Sequence, residues 1–182
     1  SEGNAAKARE YYEIFGEGAK EMDDADLFYA GSVMYSTGDY KGAVDKFSRM
    51  TSRADSIGQI ANYEMAYSYI KTGNKVAAMD AFKAASSQPW NEDIREDAHF
   101  NYAKLSFDLN NNPSVFNEYM KAYPGKKKDD IIYGYIALAC LYGHDYAAAV
   151  DAYSNIDLLD SRQKVNYMKA NYLRAHQLIE GG

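Results

Sequence analysis

Three histidines, one cysteine and several adjacent acids are the side chains of this chain with the most capacity for chemistry. His99, His144 and His176 lie in separate stretches, and none has a second ligand at metal-binding spacing. There is no HExxH, CxxC or two-histidine-plus-acid pattern of the kind that holds zinc. A GxSxG nucleophile elbow and a GxxxxGK[ST] phosphate loop are also missing, and the "GEG" of Gly16–Gly18 sits inside a helical pattern with no strand before it. Cys140, in "YIALACLYG", has no charge beside it to favour a thiolate, so it reads as a small buried apolar residue. The acid pairs Asp23-Asp24 and Asp129-Asp130 fall where helices are expected to start, and there a carboxylate stabilises free backbone N–H groups. The expectation is therefore a non-catalytic protein with no metal and no cofactor.

Charge and hydropathy narrow the partners further. A net charge of −6 over 182 residues offers no excess of cations for a phosphate backbone, so nucleic acid is not an expected ligand. The one basic run, Lys126 to Lys128, is followed directly by two acids and reads as a solvated loop. No apolar run approaches the roughly 20 residues that span a bilayer. A single cysteine allows no internal disulfide, which leaves the redox compartment open. The opening "SEGNAAKARE" and the closing "IEGG" read as the ends of a processed or excised segment.

The elements that would position any binding residue come from an internal repeat. The stretches "YSTGDYKGAVDKF" and "IKTGNKVAAMDAF" share one layout, and the residue after the turn recurs as Ala43, Ala78, Val115 and Ala149, at steps of 35, 37 and 34 residues. Four positions on stand Phe47, Phe82, Tyr119 and Tyr153, and three further on Met50, Ala85, Ala122 and Ile156. That i, i+4, i+7 stripe is one face of an amphipathic helix. Upstream of each turn runs a second helical pattern carrying a small residue at a constant phase: Gly31, Ala66, Ala103 and Ala137. Anything larger there would hold two helices apart. Gly38 and Gly73 suit the turns, Pro113 suits a first helical position, and Pro89 and Pro124 fall between repeats.

The spacing predicts an all-α chain of antiparallel helix pairs at about 24–55, 56–90, 91–124 and 128–159. Single helices at about 4–22 and 160–180 flank them, for about ten helices in one repeat domain. No stretch alternates long enough to predict a strand.

The combination of small residue, Tyr, "GDY", Ala and aromatic resembles the tetratricopeptide repeat (TPR) family, from about Asn4 to Glu180. Repeat three departs from it, with "NNNPSVF" at the turn and Val115 for alanine, and repeat four inserts His144 in "GHDY". The run "AFKAASSQPWNEDIREDAHFNYAKLSFDL" also resembles long multi-repeat TPR proteins of bacterial cell envelopes. The resemblance implies a right-handed superhelical solenoid that binds protein or peptide segments. It places the chain in the periplasm or cell envelope, with the cytoplasm as the alternative. The chaperone-binding subclass holds a terminal carboxylate with a lysine and, four residues on, an asparagine. The matching positions are Phe28 and Ser32, Tyr63 and Tyr67, Phe100 and Lys104, so that clamp is missing here.

Aromatic residues take its place. Phe28, Tyr35, Tyr63, Tyr67, Phe100, Phe107 and Tyr142 fall at phases facing a groove along the first helices, with Lys71 and Lys104 as the cations able to orient an acidic group. Two functions are compatible with this pattern. One is an interaction scaffold that takes a partner segment in the groove. The other is a structural section of a longer array, its groove idle or self-filled, joined to neighbouring repeats or to a second copy through terminal helices that carry Tyr12, Phe15, Tyr172 and Leu173.

Overall fold

The computed structural model describes residues 22–50, 53–110, 112, 114–124 and 130–181. Nine helices account for the regular structure of these residues, with no strand among them: α1 (Asp24–Thr37), α2 (Tyr40–Ser48), α3 (Ser56–Thr72), α4 (Lys75–Ser86), α5 (Glu92–Asn110), α6 (Ser114–Ala122), α7 (Asp130–Tyr142), α8 (Tyr146–Ser154) and α9 (Ser161–Glu180). The helix expected at about 4–22, with Tyr12 and Phe15, lies outside the described residues, as do Pro113 and the Lys126–Asp129 run. Two compact units result, Ser1–Tyr102 and Ala103–Gly182, and the division falls within α5.

The repeated turn explains its own sequence. Gly38 closes α1 at φ 86°, a left-handed conformation that costs a side chain dearly, and Asp39 opens α2 by accepting the Gly42 N–H at 3.0 Å. The Asp39 N–H reaches back to the Met34 carbonyl at 2.8 Å, so one residue closes one helix and caps the next. Gly73 (φ 83°) and Asn74 repeat the arrangement between α3 and α4. Between α7 and α8 the left-handed position is occupied by His144 at φ 63°, with Asp145 as the cap. The histidine inserted in "GHDY" is thus a turn residue.

Such short connections bring successive helices together as hairpins. In the first unit α1 packs on α2 and α3 on α4, while α3 also touches α2 and α1. In the second, α7 packs on α8 and α9 on both. Gly31, Ala66, Ala103 and Ala137 are all buried. A Cβ at Gly31 would sit 2.6 Å from the Phe47 ring, so this small residue is the seat of the repeated aromatic. The downstream stripe is buried in repeats one, two and four apart from the half-buried Met50. Repeat three differs at its end: Ala122, the last residue of α6, is exposed and Tyr123 is buried in its place.

A buried glutamine secures the step from the second pair to the third. Gln59, wholly inaccessible, donates to the carbonyls of Gln88 (2.6 Å), Asn91 (3.2 Å) and Ala85 (3.3 Å) and accepts the Asn91 N–H at 2.7 Å. It satisfies the peptide groups of the turn between α4 and α5, which the helices leave unpaired.

Candidate binding face

The expected site residues of the first unit lie on its first helices. On α1, Phe28, Ser32 and Tyr35 follow one another at helical spacing, as do Tyr63, Glu64, Tyr67 and Lys71 on α3, and Asp97, Phe100 and Asn101 on α5. Phe28 and Tyr35 are half-buried against the cluster of Ala43, Phe47 and Ala61. The Phe28 and Phe47 ring centroids are 6.4 Å apart, and Tyr35 meets Tyr40 edge-on at 6.0 Å.

The centre of this face is a tyrosine pair on one carboxylate. The hydroxyls of Tyr63 and Tyr67 each donate to Asp97 Oδ2 at 2.7 Å, and the Asn101 side-chain amide donates to the same oxygen at 3.0 Å. The two rings stand edge-on, 5.0 Å apart, with Phe82 behind them at 6.2 and 5.1 Å. Burial, followed by the bond to Asp97, pushes the Tyr67 phenol up to about 12, and the same causes raise Tyr63 further. Both therefore stay protonated donors. With three donors on one oxygen, Asp97 is the acceptor that ties Tyr63, Tyr67 and Asn101 together.

A second carboxylate lies one helix away. Ser32 donates to Glu64 Oε2 at 2.6 Å, a bond that opposes the upward shift which burial imposes on the Glu64 carboxyl. The Tyr35 phenol is raised by burial first and then by the Glu64 charge.

The remaining expected residues are distributed differently. Lys71 is exposed near the end of α3, and Phe100 is half-buried on α5. In the second unit Lys104 lies over the Tyr135 ring at 5.3 Å. Phe107 is not on a surface: it is buried, edge-on to Phe116 and stacked with Tyr142, because its phase points between α6 and α7. Tyr142 covers it from outside and is half exposed.

Glu64, Asp97 and Asn101 were not among the residues expected from the sequence. Tyr63 and Asp97, like Tyr67 and Asn101, are 34 residues apart, three short of the 37-residue step between repeats two and three, so each tyrosine meets a residue about one turn before its own equivalent on α5. The Glu64 and Asp97 carboxylates add acidic groups to an aromatic face on which Lys71 was expected to orient an acidic group.

The chemistry elsewhere is subdued. Cys140 is buried, and its thiol is pushed up to about 11 by desolvation and by the Asp145 charge. His144 Nδ1 contacts the Tyr146 hydroxyl at 2.8 Å, and His176 lies 3.3 Å from Glu180. Among the described residues no three His, Cys, Asp or Glu side chains gather as a metal site would require. No helix of these residues is long and apolar enough to cross a membrane. An open cleft of about 300 Å³ lies between α7 and α9, lined by Ile131, Tyr135, Leu138, Arg162 and Asn166 among others. No family model matches the chain, and neither a curated protein nor a solved structure does.

Proposed function

We propose that this chain is a non-catalytic interaction scaffold of tetratricopeptide-repeat type, whose helix pairs continue into a right-handed superhelix. It takes an extended or helical protein segment across Phe28, Tyr35, Tyr63, Tyr67 and Phe100. The observation that carries this reading is the tyrosine pair bonded to Asp97: rigid rings held by hydrogen bonds and backed by Phe82 offer apolar area at little entropic cost. With Asp97 and Glu64 on the same helices, the partner segment carries hydrogen-bond donors or basic side chains rather than acids. Placement in the periplasm or cell envelope, with the cytoplasm as alternative, follows from the resemblance of the run Ala81–Leu109.

The test is selection of peptides from a random display library on the whole chain, followed by titration and hydrogen exchange. Bound peptide should protect α1, α3 and the first half of α5, and Tyr67→Ala or Phe100→Ala should weaken it by about tenfold or more. Protection around Asp45, Asp80 and Asp151 with the aromatic face left open would refute the proposal.

A second reading, a structural section of a longer array, is favoured by one observation: Tyr172 on the last helix is well exposed. An exposed aromatic on a terminal helix is what a neighbouring repeat would cover.

A further inference from the structure

Helix α9 is amphipathic twice over. Ala170 is wholly buried where the helix meets α7 and α8. On the opposite side Val165, Met168, Tyr172 and Ile179 are 63%, 73%, 68% and 80% exposed, with exposed Ala175 between the last two. The order 165, 168, 172, 175, 179 is an unbroken 3-4-3-4 spacing, the a and d positions of two heptads. At about 100° per residue these side chains occupy an arc of about 80°, flanked near its C-terminal end by exposed Leu178 at a g position. Through the first heptad that is the width of a coiled-coil seam, narrower than the apolar face a helix lays on a globular core or in a lipid interface.

The charged residues bordering the seam through its first heptad have one sign. Lys164 falls at a g position and Lys169 at an e position, with Arg162 beside them. The whole helix carries Arg162, Lys164, Lys169 and Arg174 against Glu180 alone, net +3 in a chain of net −6. A second copy of α9 would bring like charges to the same seam. A helix with acids at its own e and g positions would pair with them.

We infer that the exposed seam of α9 is a docking surface for an acidic, heptad-patterned helix of a partner protein, which packs apolar residues against Val165, Met168, Tyr172 and Ile179 and sets carboxylates against Lys164 and Lys169. This surface belongs to the Ala103–Gly182 unit and does not depend on the tyrosine face of the first.

The experiment titrates the whole chain with two labelled three-heptad peptides, both with leucine at a and d, one with glutamate and the other with lysine at e and g. The glutamate peptide should bind and the lysine peptide should not. Met168→Glu, a change at an exposed position that leaves the circular dichroism spectrum intact, should weaken the glutamate peptide by about tenfold or more. The double variant Lys164→Glu/Lys169→Glu keeps the apolar seam and should reverse the preference. Equal binding of the two peptides, no binding of either, or binding indifferent to Met168→Glu would overturn the inference. So would anionic phosphatidylglycerol vesicles binding where the glutamate peptide does not, which would make the seam a membrane surface. Self-association in sedimentation that Met168→Glu abolishes, without peptide binding, would make it a contact between copies.

Discussion

The side-chain amide of Gln59 forms a reciprocal pair with the backbone of Asn91: its Oε1 accepts the Asn91 N–H at 2.7 Å and its Nε2 donates to the Asn91 carbonyl at 3.2 Å. Since Gln59 also holds the carbonyls of Gln88 and Ala85, Gln59→Leu removes one side chain and strands several peptide groups. The expected loss is about 1–3 kcal/mol, read as a lower denaturant midpoint. An unchanged midpoint would show that water replaces the glutamine without cost.

Gly31 is expected to reverse a familiar trend. In an open helix interior, glycine to alanine gains about 1 kcal/mol. Here the new methyl would lie 2.6 Å from the buried Phe47 ring, so Gly31→Ala should cost about 1–3 kcal/mol. Combination with Phe47→Leu should recover part of that loss, which a double-mutant cycle in chemical denaturation measures.

His144→Gly should stabilise the chain. The histidine occupies a left-handed position that glycine fills in the two earlier turns, and the contact it would lose, to Tyr146, is exposed. The expected gain is about 1 kcal/mol, or roughly 2–4 °C in melting temperature for a chain of this size.

Glu64 carries a pH dependence of defined sign. Burial raises its carboxyl above the ordinary value of 4.5, so the folded state holds the proton more tightly than the unfolded chain. Stability from this group is full below that ordinary value and is lost as pH rises through the folded one. Glu64→Gln keeps an acceptor for Ser32 and removes the titration. The variant should match the parent in acid and exceed it near about pH 7, as paired denaturation curves would show.

The helix pairs, their turns and their inner contacts were legible in the sequence because each depends on local chemistry. A Gly-Asp pair ends one helix and caps the next within a few residues, and a small residue at one phase must face an aromatic at another. Gly38 with Asp39 and Gly31 with Phe47 are therefore readable from spacing alone. What the repeat period could not show is which polar groups meet across it. Tyr63 and Tyr67 looked like free groove aromatics, yet their hydroxyls are bonded to an aspartate 30 or more residues away. Phe107 shared their apolar character, but packing between α6 and α7 buried it. Ala122 kept the phase of the stripe, but its neighbour Tyr123 took the buried place. Periodicity determines which face of a helix turns inward, since that depends only on 3.6 residues per turn. The depth of each side chain and its polar partner depend on where the next helix lies, and only the packing of whole helices decides that.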